Sequence, residues 1–169
     1  MRMNPLAWNF RTGFAVAAAL IAVFLGFAYY AQYQLKMEPC PLCILQRVAF
    51  MGLFVVCAIA ALHGPKGAGR RVYGALAMLA AGIGAGIAGR HVWLQHLPAD
   101  QVPDCGPGLQ YMLDAFPLSK TLAMLFTGSG ECAKVDWAFL GLSMPEWTLI
   151  WFVVFIIGAM YFGFRRYAR

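Results

Sequence analysis

Cys40-Pro41-Leu42-Cys43 stands at the entrance of an apolar run, and Arg47 lies one helical turn further in. Two cysteines separated by two residues can close a small disulfide ring and reopen it. At a helix N-terminus, free backbone N–H groups and the helix dipole stabilise negative charge on sulfur. Arg47 follows Cys43 by four residues and so shares its helix face. An arginine inside a lipid-embedded segment is costly, and such residues mark function. A thiol pair beside a cation at a membrane surface suggests electron transfer to something dissolved in the lipid.

The elements that must position this group are transmembrane. The chain has 169 residues, 62% hydrophobic and 12% charged, where soluble domains are roughly half apolar and a quarter charged. Four apolar stretches account for the excess: 13–31, 44–62, 72–89 and 147–164. Each is near the ~20 residues that a helix needs to cross the hydrocarbon core. The fold class expected is an all-α membrane protein, a four-helix transmembrane bundle forming one domain over 1–169, with outer loops at about 32–43 and 91–146.

Charge asymmetry orients the bundle. Arg2 and Arg11, then Lys66, Arg70 and Arg71, then Arg165, Arg166 and Arg169 lie in segments without Asp or Glu, while all seven acidic residues fall in the other two connections. The positive-inside rule places both termini in the cytoplasm. The net charge of +6 is therefore topological and does not point to nucleic acid. The first span is longer than a signal-peptide apolar core and no Ala-x-Ala site follows it, so it is read as a retained helix.

The second outer loop carries five prolines, Pro98, Pro103, Pro107, Pro117 and Pro145, which disfavour long helices. Leu118, Leu122 and Leu125 share a face over 118–126. That suits either a short interfacial helix or a segment packed on the rest of the loop. Tyr29, Tyr30, Trp93, Trp147 and Trp151 fall near the outer span ends, as an aromatic belt would. Gly82 and Gly86, with Gly84 and Gly89 nearby, read as helix-packing positions.

Of the five cysteines, Cys40, Cys43, Cys105 and Cys132 map to the outer side, where an oxidising environment favours disulfides. Four cysteines allow three pairings. The closely spaced Cys40–Cys43 is favoured as the redox unit, which would leave Cys105 and Cys132 to cross-link the long loop. A Cys-x-x-Cys ring closes too short a loop to serve well as an inert staple. The rival from another class is an all-thiolate zinc site, but the second pair lacks zinc-knuckle spacing. His63, His91 and His96 offer no matching spacing, and His91 and His96 read as interfacial polar residues. No metal is expected, and no span carries a central histidine for haem. Cys57, in the middle of the second span, reads as packing.

Pro39-Cys40-Pro41-Leu42-Cys43 with Gln46-Arg47, Gly130-Glu131-Cys132, and the run from Trp137 through Phe139-Leu140-Gly141-Leu142-Ser143-Met144-Pro145 to Trp147 together resemble DsbB, the disulfide bond formation protein family of bacterial inner membranes. The resemblance covers nearly the whole chain. It implies a membrane thiol:quinone oxidoreductase with catalytic Cys40, Cys43, Cys105 and Cys132. Cys105–Cys132 would oxidise a periplasmic thioredoxin-like partner, DsbA, with Cys105 the sulfur attacked, and Cys40–Cys43 would reoxidise that pair. Cys43 would pass electrons to a quinone, ubiquinone or menaquinone, drawn from the membrane pool, with Arg47 stabilising the developing negative charge. A vitamin K epoxide reductase-like protein is the nearest enzymatic alternative. It carries its Cys-x-x-Cys toward the end of a later span, unlike this chain. A non-enzymatic zinc-binding or scaffold protein is the other alternative.

Overall fold

The structure is a computed structural model and describes residues 9–37, 39–98, 100–102, 116–117, 120, 128, 130–133, 135 and 137–165, with Glu131 described by its backbone alone. Cys105 and, apart from Lys120, the expected interfacial helix over 118–126 lie outside the described residues.

Four long helices carry the fold: α1 (Phe10–Tyr33), α2 (Pro41–His63), α3 (Ala68–Gln95) and α5 (Met144–Phe164). All are long and apolar enough to cross a membrane. A four-residue helix α4 (Gly130–Ala133) and a hairpin of β1 (Ala138–Phe139) and β2 (Leu142–Ser143) precede α5. Every expected span lies within one of these helices, but each helix runs past its span at one end or both. The largest difference is in α3, which continues to Gln95 and takes His91 into the helix. Arg90 does not end it, because its guanidinium lies 4.2 Å from the Trp93 ring centre and finds a cation–π partner without leaving the helix.

Capping fixes the ends. The Asn9 side chain accepts from the Thr12 N–H at 2.8 Å to start α1. Gly64, at φ +55, ends α2 in the left-handed cap that glycine adopts without strain. Arg11 packs there and donates to the Ala61 carbonyl at 3.0 Å, joining α1 to α2 at the basic end. At the thiol end, Glu146 Oε2 accepts from the Ser143 N–H at 2.6 Å, and Ser143 Oγ donates within 2.8 Å of Gln95 Oε1. The start of α5 is thereby tied to the end of α3.

The core is aromatic between α1, α2 and α5 and small-residue between α3 and α5. Phe50 stacks on Phe152 at 4.1 Å, with Phe24, Trp151 and Phe155 around them. Gly74 and Gly163 meet at a close crossing, where a Cβ on Gly163 would come 2.8 Å from the Gly74 Cα. Gly84 receives the Phe152 ring: a Cβ there would lie 2.3 Å from it. Gly82 and Gly86, expected to pack, face outward with open space at the Cβ position. Residues 82, 84 and 86 cannot share one face at 100° per residue, and the aromatic ring selects the middle glycine.

The β1–β2 hairpin was not expected. Leu140 and Gly141 take positive φ values of 53° and 82°, the two-residue turn whose twist suits a hairpin. Trp147 Nε1 donates to the Phe139 carbonyl at 3.0 Å, and Trp137 stacks on Phe139 at 5.9 Å. The hairpin thus lies beside the first turns of α5.

Candidate redox site at the thiol end of the bundle

Cys40 is the N-cap of α2. Its backbone is extended, and its Sγ accepts from the Cys43 N–H at 3.4 Å. Pro41 occupies the first turn, where its missing N–H costs no helical bond. The cap brings Cys43 back over Cys40 with the sulfurs 3.1 Å apart. Both are thiols. That is about 1 Å beyond a bonded S–S distance, so a small side-chain rotation joins them.

Their surroundings differ. Cys43 lines an apolar cavity of about 390 Å³ between α1, α2, α5 and the hairpin. Phe24 and Ala28 of α1, Phe50 of α2, Trp147 and Trp151 of α5, and Trp137 and Phe139 form much of its wall. Trp147 and Trp151, expected in an interfacial belt, are half-buried and turn toward this cavity, whereas Tyr30 and Trp93 stay more than half exposed.

Arg47 lines the same cavity. Its guanidinium donates to the Gln32 side chain and, at 3.2 Å, to the Ala28 carbonyl, and lies 5.5 Å from the Tyr29 ring centre. The side chain is held against α1 by these partners. A fixed cation one turn from Cys43, in a wall otherwise almost wholly apolar, is suited to stabilise negative charge that develops in the cavity.

On the other side of α2, Cys40 packs on a second cluster formed by Leu42, Ile87, Leu94 and Cys132. Cys132 is fully buried there. Gly128 makes this approach possible: it takes φ +80, and a Cβ would meet Leu94 at 2.4 Å. The structure therefore gathers Cys40, Cys43, Cys132 and Arg47 at one end of the bundle. Cys57 lies apart, 3% exposed in the main core, as its packing role requires.

His91 belongs to the site, contrary to its reading as an interfacial residue. It is 2% exposed. Its Nε2 is 3.7 Å from Cys40 Sγ and 3.1 Å from the Cys132 carbonyl oxygen, and its Nδ1 is 3.0 Å from Gln46 Nε2. Thr148 Oγ1 donates to Gln46 Oε1 at 2.8 Å. Cys40, Cys43 and His91 place their ligand atoms within 4.8 Å of one another, so by position alone they form a donor set that no sequence spacing revealed. Gln46 and Thr148 were also missed as site residues. The available signal was that both are polar within apolar runs.

The sequence model of the family described as Disulfide bond formation protein DsbB matches residues 10–162. The chain belongs to the DsbB family. Proteins named Disulfide bond formation protein B are similar to it along almost their full length. The one from Nitrosococcus oceani is 54% identical over 90% of this chain and 88% of its own. That of Marinobacter nauticus is 49% identical over 95% and 94%, and that of Xanthomonas campestris pv. campestris strain 8004 is 47% identical over 97% and 96%. Family membership carries a role in disulfide bond formation, hence oxidoreductase chemistry, by a multi-pass membrane protein.

Proposed function

We propose that the protein is a thiol:quinone oxidoreductase of the bacterial inner membrane, with both termini cytoplasmic and the thiol end periplasmic. It reoxidises a DsbA-like thioredoxin-fold dithiol and delivers the electrons to the membrane quinone pool. One observation carries this reading: Cys43 and Arg47 share an apolar cavity while Cys40, 3.1 Å from Cys43, packs against buried Cys132.

The cavity fits a quinone head group in chemistry: apolar and aromatic walls for a ring, one cation, and a sulfur. A bound quinone supplies an acceptor for two electrons and two protons. The chain's own residues do the rest. The partner's thiolate attacks Cys105 of a Cys105–Cys132 disulfide, forming a mixed disulfide and freeing Cys132. The partner's second thiolate then attacks the mixed disulfide, and the partner leaves oxidised. With the Cys40–Cys43 disulfide closed, the Cys132 thiolate attacks Cys40 Sγ. The Cys40–Cys132 bond forms, the Cys40–Cys43 bond breaks, and Cys43 departs as a thiolate carrying the electron pair. That thiolate lines the cavity, and Arg47 one turn away offsets its charge. The Cys105 thiolate next attacks Cys132, restores their disulfide and releases Cys40. The displaced thiol protons leave to solvent or to the reduced acceptor.

The test is quinone reduction by the detergent-solubilised protein with reduced DsbA as the only electron donor. Quinone loss that disappears in Cys105→Ser is the expected result. No quinone loss, with stoichiometric zinc in the preparation, overturns the reading.

A further inference from the structure

His91 has one feature that the relay above does not use. Its Nε2 faces two acceptors at once, the Cys132 carbonyl oxygen at 3.1 Å and the Cys40 sulfur at 3.7 Å. A carbonyl oxygen only accepts, so a ring nitrogen that close carries a hydrogen. In the neutral ring Nδ1 is then an acceptor, and the donor that it requires is present: Gln46 Nε2 lies 3.0 Å away. The Gln46 amide is oriented in turn by Thr148, whose single hydroxyl hydrogen is shared between Gln46 Oε1 at 2.8 Å and the Pro145 carbonyl of its own helix turn at 2.9 Å. Thr148 O–H to Gln46, Gln46 N–H to His91 Nδ1, and His91 Nε2–H to Cys132 and Cys40 form a chain in which each donor has an acceptor. It links α5 to α2, α2 to α3, and α3 to both cysteines. A buried imidazole fixed at both nitrogens aims its hydrogen rather than rotating.

We infer that His91 is the positioning residue for Cys40: its single Nε2–H is shared between the Cys132 carbonyl and the Cys40 sulfur, and it stabilises Cys40 as a thiolate whenever that sulfur leaves or attacks. The inference rests on the exchange between Cys132 and Cys40 proposed above. When Cys105 attacks Cys132 and the Cys40–Cys132 bond breaks, the electron pair remains on Cys40, and the Nε2–H lies beside it. If the Cys132 backbone withdraws, the whole hydrogen bond passes to Cys40. The two redox sulfurs then have separate partners, Arg47 for Cys43 and His91 for Cys40.

The experiment is the alkylation rate of single sulfurs by iodoacetamide in the reduced full-length protein at one fixed pH near neutrality. It needs neither quinone nor partner protein, so it stands or falls independently of the relay. Cys40 is read in a Cys43→Ser background and Cys43 in a Cys40→Ser background. His91→Phe should slow Cys40 alkylation by about tenfold, the order of one hydrogen bond to a charged group, and leave Cys43 within about twofold. His91→Gln, which returns an N–H donor, should restore most of the Cys40 rate. Gln46→Leu tests the same chain without touching the ring and should slow Cys40 alone. An unchanged Cys40 rate in His91→Phe and Gln46→Leu overturns the inference. So does equal slowing of Cys40 and Cys43, which would mark a collapsed pocket.

Discussion

Cys40 and Cys43 place their sulfurs 3.1 Å apart, yet Cys43 lines the aromatic cavity and Cys40 packs on the cluster that buries Cys132. A single helical turn at the start of α2 therefore joins two environments. One is an apolar space with a cation in its wall, and the other is a thiol-bearing segment from the far end of the chain.

That division predicts unequal consequences for the two sulfurs. Cys43→Ser should abolish turnover while the helical content and melting temperature in detergent stay near wild type, because without Cys43 the disulfide at Cys40 that Cys132 attacks cannot form. Wild-type oxidation of DsbA by this variant would remove Cys43 from the electron path.

Arg47→Leu should act chiefly on quinone use. Its cation lies in the cavity wall, anchored to Ala28 and Gln32 of α1, so its loss removes charge stabilisation in the cavity and, to a smaller extent, for the departing Cys43 thiolate. The apparent KM for quinone should rise roughly tenfold to a hundredfold, the range for one hydrogen bond to a charged group. Initial-rate kinetics over a quinone series decides it, and an unchanged KM would separate Arg47 from the site.

Gly84 and Gly82 form a matched pair for the packing. Gly84→Ala drives a methyl to within 2.3 Å of the Phe152 ring, whereas Gly82→Ala points into open space. The first should cost about 1–3 kcal/mol through overpacking. The second should be neutral or slightly stabilising, because alanine favours helix. Thermal unfolding of the two variants in the same detergent compares them directly.

Cys57 should be silent in the chemistry. It is 3% exposed in the main core and remote from the other described cysteines in sequence. Cys57→Ser should leave quinone reduction at the wild-type rate while lowering stability by about 1–2 kcal/mol, since the hydroxyl is buried but can bond back to its own helix. Loss of turnover in a folded Cys57→Ser protein would contradict this assignment.

The spans were legible in the sequence because twenty apolar residues in lipid have few structural options: the backbone must satisfy itself, and a helix does so. Cys40, Cys43 and Arg47 were legible for a local reason. They sit within two turns of one helix start, where spacing alone fixes their relation. His91 was not legible, because its position depends on how α3 is rotated against α2, and no local pattern records that rotation. The same blindness affects Gly82 and Gly86. Their spacing suits a helix contact, but the contact went to Gly84 because Phe152 projects from α5 at that height. The hairpin was hidden for another reason. Its turn needs positive φ at Leu140, a residue that rarely adopts it, so the usual Asn-Gly or Asp-Gly signal is missing.

The cap of α2 has a consequence for the helix itself. Its first turn is closed by the Cys40 sulfur accepting from the Cys43 N–H, so the atom that would change bonds in the proposed exchange also anchors a membrane helix. Side-chain caps contribute about 0.5–2 kcal/mol. When Cys40 forms a bond to another sulfur, that cap weakens, and the opening turn can fray by an amount within thermal reach. The fraying would stop where the buried Gln46 and Phe50 hold the next turns in the core. In the proposed exchange, a change of bond at Cys40 would thus be coupled to a local loosening of one helical turn, giving the Cys-x-x-Cys ring room to open and close while the bundle below it stays rigid.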